Sequence, residues 1–207
     1  MALKITLFSD FICPFCYIGF HTLQKMQREF DLEVAWRGFQ IHPDWPATGI
    51  PAEKVYGAQG SDSRKAAWER ISSMATEIGL DMRPPSVLTN SYNALAACEY
   101  AIASGKGEQF EERVYRAYFH DGSNIGDVEI LKQLASDIGL DTEKVAEAVA
   151  SPEVQLKLKN NALVAHQRGV SGVPTFFIGN YPLVGAQSES TMRKILTRAN
   201  EMMSAAK

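Results

Sequence analysis

Asp10-Phe11-Ile12-Cys13-Pro14-Phe15-Cys16-Tyr17-Ile18-Gly19 holds two cysteines three positions apart, with a proline directly after the first. Upstream, Leu3, Ile5, Leu7 and Phe8 alternate and then run apolar, the pattern of a strand over residues 3–8. Downstream, Phe15, Ile18, Leu23 and Met26 suit a helix over 14–29, and Pro14 suits its first turn. Cys13 therefore reads as the helix N-cap, Pro14 as N1 and Cys16 as N3. A thiolate at the N-cap meets the unbonded amides of the first turn and the positive end of the helix dipole, and both lower its pKa. Residues i and i+3 share one face of the turn, so the two sulfurs can close a disulfide. The spacing predicts an exposed attacking thiolate at Cys13 and a more buried resolving thiol at Cys16, acting through a mixed disulfide. Asp10 would oppose the thiolate if it lay close.

Working outward, Leu32, Val34, Trp36 and Phe39 suit a second strand over 31–39. Strand–helix–strand at this length predicts parallel strands with a right-handed crossover. Pro43, Pro46, Pro51, Gly49, Gly57 and Gly60 make 43–62 a loop with room for a short helix. Helical periodicity then dominates, with helices at 63–78, 91–104, 108–119, 127–138 and 142–149. Asp127 and Asp141 read as N-caps, and Ile138-Gly139-Leu140 as a glycine C-cap. A helix over 152–168 follows, then strands 173–178 and 181–184 joined by a Gly179-Asn180 hairpin turn. A last helix covers 188–203, with Ser188 as its cap. Without the helical block, the order is β-α-β-α-β-β-α. The expectation is an α/β, thioredoxin-like fold with an inserted helical domain. Residues 1–45 and 150–207 would form the discontinuous thioredoxin-like domain around an insertion of 46–149.

Composition narrows the function classes. The net charge of -3 argues against a dedicated nucleic-acid binder. No apolar run approaches the ~20 residues a membrane helix needs. The N-terminal apolar stretch is short and alternating rather than a signal peptide, so a cytoplasmic location is expected unless a leader preceded this numbering. Three cysteines do not make a disulfide scaffold. Half of a zinc site is an alternative for Cys13 and Cys16. It needs four ligands, and Cys98, His21, His42, His120 and His166 supply no second close pair, so no metal is expected. An inert buried pair is the other alternative. The partners expected are protein or small-molecule thiols and disulfides, with a homodimer left open. No cofactor is expected beyond the redox-active disulfide itself, with glutathione open as reductant or co-substrate.

Gly172-Val173-Pro174-Thr175 precedes an apolar run, and proline is tolerated at the first residue of a strand. Generic statistics favour a trans bond there. The segment Asp10–Gly19 closely resembles the active-site segment of the DsbA-like thioredoxin superfamily, in particular its FrnE-like branch. Tyr118–Asp127, Gly169–Pro174 and Gly185-Ala186-Gln187 fit the same resemblance, in order along nearly the whole chain. It implies a thioredoxin fold with a helical insertion, a redox dithiol at Cys13 and Cys16, and a cis-proline at Pro174. It also implies substrate contact at Pro14, Phe15, Val173 and Pro174. The Val173 backbone would face Cys13 and pair with an extended substrate. One departure stands at Leu95, where related sequences often carry a histidine. A sister branch resembles 2-hydroxychromene-2-carboxylate isomerases and kappa-class glutathione transferases, which use a serine in place of Cys13. Three readings follow: a dithiol oxidoreductase, a glutathione-dependent isomerase or transferase, and a binder or chaperone indifferent to the thiols. Cys98 and the histidines read as core or solvated residues, with His42 the most suggestive at the end of the second strand.

Overall fold

Leu3, Ile5 and Leu7 are buried with Lys4 exposed between them, and Phe8 and Ser9 are then buried in succession. That pattern belongs to a strand enclosed at its C-terminal end, and β1 (Leu3–Ser9) lies in the middle of a four-stranded sheet. The computed structural model describes residues 2–56 and 61–205. β1 pairs in parallel with β2 (Leu32–Gly38), from Leu3 opposite Leu32 to Ser9 opposite Gly38. α1 (Pro14–Gln27) makes the crossover between them, as the strand–helix–strand pattern predicts. On its other side β1 runs antiparallel to β5 (Thr175–Ile178), which continues through a hairpin into β6 (Tyr181–Val184). The sheet order is β2-β1-β5-β6.

Two more strands and eight more helices complete the described elements: β3 (Ile50–Pro51), β4 (Val87–Leu88), α2 (Ala52–Tyr56), α3 (Ser61–Glu77), α4 (Tyr92–Ala103), α5 (Gly107–Phe119), α6 (Val128–Asp137), α7 (Thr142–Ala150), α8 (Pro152–Gln167) and α9 (Glu189–Ala205). One sheet face packs Leu3, Ile5, Leu7 and Phe176 against Leu23 and Met26 of α1 and Met192 and Leu196 of α9. The other sets Phe8 and Phe177 against Ala165 of α8. Each such buried side chain contributes roughly 1.5–3 kcal/mol. The largest cluster joins Cys16, Tyr17 and Phe20 of α1 to residues of α3 through α7, so the site segment shares its core with the helical block. The fold is thioredoxin-like with a helical insertion, as expected.

The expected caps form. Asp127 and Asp141 each accept the amide two residues on, both at 2.9 Å, and Ser188 accepts from Thr191 at 3.2 Å. The antiparallel β3–β4 pair, with β3 in the expected loop and β4 between the expected helices 63–78 and 91–104, is not legible in the sequence, because two-residue strands have no period to read. Gly57 and Gly60 lie outside the described residues. β5 starts at Thr175 rather than at Val173, because Pro174 has no N–H to give the ladder. The Asn90–Leu95 and Tyr118–Asp127 segments meet the loop after β2. Asn93 donates to the Gly126 carbonyl at 2.7 Å, and a Cβ on Gly126 would lie 2.3 Å from the Ala47 carbonyl and the Thr89 hydroxyl.

Candidate active site

Cys13 follows a turn closed by its own amide bonding to the Asp10 carbonyl at 3.2 Å. It has extended backbone (φ -91°, ψ 116°), while its carbonyl accepts the Cys16 amide at 3.0 Å, so it is the N-cap of α1 with Pro14 in the first turn. Both Cys13 and Cys16 are free thiols.

The expectation of an exposed Cys13 is corrected. Cys13 is 7% exposed and Cys16 0%, while Phe15 between them is 39% exposed. The order of burial is as expected, but the outward position belongs to the phenyl ring. The Val173 carbonyl closes over Cys13 and accepts its S–H at 3.5 Å. The Val173–Pro174 bond is cis, as the resemblance implied. The Thr175 hydroxyl fastens this loop to the Gly172 carbonyl at 2.7 Å, and the Gly185 amide holds the Pro174 carbonyl at 2.8 Å. Gly19 lets α1 approach the same loop, since a Cβ there would stand 3.2 Å from Pro174 Cγ and 3.0 Å from Phe176 Cζ. The turn carrying Cys13, Pro14, Phe15 and Cys16 and the loop carrying Val173 and Pro174 therefore meet.

The two sulfurs ionise in opposite directions. The Cys16 thiol hydrogen-bonds to Cys13 and lowers its pKa, helped by the amides of Cys16 and Phe15 and opposed by burial and the Asp10 charge. These amides are the N3 and N2 donors of the helix, although the neutral Cys13 thiol itself makes no cap bond. Burial raises Cys16 well above the ordinary thiol value, and the hydrogen bond and charge of Cys13 raise it further. The Ser9 hydroxyl and the Asp10 amide pull the other way.

Two features were not foreseen. Asp10 is fully buried, and burial pushes its carboxyl up to about 6 although Ile41 and Ile12 amides bind it at 2.7 and 3.4 Å. Its place within an apolar run was the available signal. Ser9 bonds to Tyr115 at 2.7 Å across 106 residues of sequence, a pairing no local pattern could announce.

The remaining candidates are accounted for elsewhere. His42 stacks on Trp45 at 3.8 Å, His21 lies 2.9 Å from Glu112, and His120 lies between Asp81 and Asp121. His166 is exposed, Leu95 and Cys98 are buried, and Trp36 and Trp68 pack against Phe11 and Phe119. Among the described residues no group of three or more His, Cys, Asp and Glu is arranged to hold a metal ion. No described helix is long and apolar enough to cross a membrane.

Residues 4–197 match the DSBA-like thioredoxin domain. The chain belongs to this family. Over 201 residues it is 28% identical to the uncharacterized protein YwbO of Bacillus subtilis, covering 95% of this chain and 97% of that protein. It is 26% identical to a 2-hydroxychromene-2-carboxylate isomerase of Sphingobium xenophagum, over 86% of this chain and 90% of the isomerase. A probable DsbA oxidoreductase of Streptomyces coelicolor superposes with a TM-score of 0.86 at 26% identity, over 95% of this chain and 89% of that one. The DSBA-like family thus reaches from oxidoreductases to isomerases, and this member carries two free thiols at the head of α1.

Proposed function

We propose that this chain is a thiol–disulfide oxidoreductase that cycles Cys13 and Cys16 between dithiol and disulfide, with protein or small-molecule thiols and disulfides as substrates. The observation that carries the reading is the placement of two free thiols at the head of α1, with Cys13 as its N-cap 3.5 Å from the Val173 carbonyl and Cys16 fully buried three residues on. The Cys13 thiolate attacks a substrate disulfide and forms a mixed disulfide. Cys16 then attacks Cys13 and releases the substrate as a thiol. The reverse sequence delivers a disulfide. The Val173 carbonyl, 3.5 Å from Cys13, and the neighbouring cis-proline loop offer backbone to an extended substrate, with Pro14 and exposed Phe15 at the rim. The reading extends to the FrnE-like branch, on the resemblance of Asp10–Gly19, Tyr118–Asp127 and Gly169–Pro174, to a cytoplasmic setting, and to glutathione as a reductant or co-substrate.

The test is a pair of variants. Cys13→Ser should abolish disulfide reduction, while Cys16→Ser should accumulate mixed disulfides with substrate. Turnover that survives Cys13→Ser would reject the proposal.

The kinship with a 2-hydroxychromene-2-carboxylate isomerase favours a second reading, a glutathione-dependent isomerase or transferase. It predicts saturable stabilisation by millimolar reduced glutathione and turnover that Cys16→Ala leaves unchanged. Absence of any thermal shift with glutathione would count against it.

A further inference from the structure

Cys13 follows the C-terminal end of β1, whereas Leu3 and Lys4 stand at its N-terminal end, about 20 Å away at roughly 3.3 Å per residue. At that far end the β5–β6 hairpin and the C-terminal half of α9 border a groove of about 670 Å³. Small-molecule sites span roughly 300–1,000 Å³, so the groove has the size of one. Buried Leu3 and Ile178 line it on the core side. Tyr181 and Leu183, two apart on β6, share one face of the strand and form a wall. Ile195, Ala199 and Met202 recur along α9 at helical spacing and form the other, and the short Ala199 leaves room between the two longer side chains. Tyr181 is 72% exposed and Met202 54%, so the described chain does not cover these apolar walls. The charges around the groove have one sign. Lys4 and Arg198 line it, and no acidic side chain does among the described residues, in a chain of net charge -3. Lys4 has Glu33 at 3.9 Å, with both side chains mostly exposed, which makes a weak pair.

We propose that this groove binds a long-chain alkyl carboxylate, with the chain along the apolar walls and the carboxylate at Lys4 and Arg198. The site is separate from the thiols and stands whether or not they cycle. The planar guanidinium of Arg198 matches a carboxylate with two parallel hydrogen bonds, while Lys4 adds a second positive charge. Each methylene withdrawn from water strengthens binding, so affinity follows chain length. A second copy of the chain fits this face less well. A two-fold interface sets the same patch against itself and brings both pairs of cations together. Pairing through the β6 edge is also disfavoured, since Pro182 within that edge has no N–H to give.

The site is tested by calorimetric titration of the full reduced chain with octanoate, decanoate and dodecanoate at about pH 8, where the acids are ionised. Below their micelle concentrations one molecule should bind per chain, tightening about two- to fourfold for each added methylene. Dodecylamine, of equal length and opposite charge, should bind about tenfold or more weakly than dodecanoate. Arg198→Glu should invert that preference, and Met202→Asn should weaken both ligands. Both side chains are exposed, so neither change disturbs the core. Cys13 alkylation should be the same in both variants as in the parent. No binding to the parent, equal affinity for carboxylate and amine, or affinity unchanged in both variants overturns the proposal. Sedimentation of the ligand-free chain as a dimer that Met202→Asn dissociates also overturns it, since a second copy then fills the groove.

Discussion

The head of α1 and the middle of α4 each bury a thiol, and the outcomes are opposite. Cys98 has 0% exposure, and burial, then the charges of Glu111 and Glu99, drive its pKa well above the ordinary value. Cys13 has 7% exposure, yet its pKa falls. Burial acts against the thiolate in both places, so it cannot be what separates them. The difference is the supply of donors. Mid-helix amides are committed to carbonyls one turn back, whereas at the first turn of α1 the Phe15 and Cys16 amides act on the Cys13 sulfur, and Cys16 adds a thiol donor. The donors around a buried thiol decide whether its pKa falls or rises.

The largest expected effect tests that contrast directly. In reduced native protein near neutral pH, iodoacetamide should alkylate Cys13 at least about a thousandfold faster than Cys98. Thiolate fraction and the need for local opening both act against Cys98. Peptide mapping of the time course measures the ratio. Comparable rates would mean that the two environments do not differ as described.

The contrast also separates what was readable in the sequence from what was not. The N-cap role of Cys13 and the deeper burial of Cys16 follow from a proline and a three-residue spacing, both local signals. The β1–α1–β2 unit is equally local, since the periods of its strands and helix are read over short windows. The occlusion of Cys13 by the Val173 carbonyl depends on a loop 160 residues away, so the expectation of an exposed sulfur failed. The Ser9–Tyr115 bond and the β3–β4 pair were hidden for the same reason. Asp10 was visible as a residue, but its enclosure required the amide of Ile41 to arrive from the end of β2.

Asp10 sharpens the comparison from the other side, because it is the charge that opposes the Cys13 thiolate. Its carboxyl rises from 3.8 to about 6 in the folded chain. The native state thus binds this proton more tightly than the unfolded state. Its contribution to stability is fully present below about pH 3.8 and is lost as pH rises through about 6. At about 1.4 kcal/mol per pH unit, the buried carboxylate lowers stability by about 3 kcal/mol at alkaline pH. Asp10→Asn should recover about 1–3 kcal/mol at pH near 8, since the amide loses one acceptor for the Ile41 and Ile12 amides. It should gain nothing near pH 4. Urea unfolding of the reduced protein at the two pH values measures this. Equal effects at both would show that Asp10 does not titrate as described. The same variant should also speed Cys13 alkylation near pH 7, by removing the opposing charge.

Removing the donor rather than the opposing charge gives a smaller effect. The Cys16 thiol heads the influences that lower Cys13, so Cys16→Ala should raise the Cys13 pKa, with the helix amides still in place. The pH dependence of the thiolate absorbance reports it. An unchanged pKa would assign the whole effect to the backbone, leaving the contrast with Cys98 to helix position alone.

The smallest effect concerns the geometry that brings the Val173 loop to Cys13. Gly19 lies inside α1, where alanine would ordinarily gain about 1 kcal/mol in helix propensity. Here the added Cβ would stand 3.0 Å from Phe176 Cζ and 3.2 Å from Pro174 Cγ. Phe176 is fully buried on β5, and the Pro174 ring is rigid, so neither yields without a shift of strand or loop. Overpacking of this kind typically costs about 1–3 kcal/mol. The cost exceeds the gain, and Gly19→Ala should be destabilised by about 1 kcal/mol in urea unfolding. Because Pro174 follows the carbonyl that covers Cys13, the strain should also change the Cys13 alkylation rate, while Cys98 stays protected. A variant more stable than the parent, with unaltered Cys13 reactivity, would mean that helix and loop are not in the tight contact that closes this site.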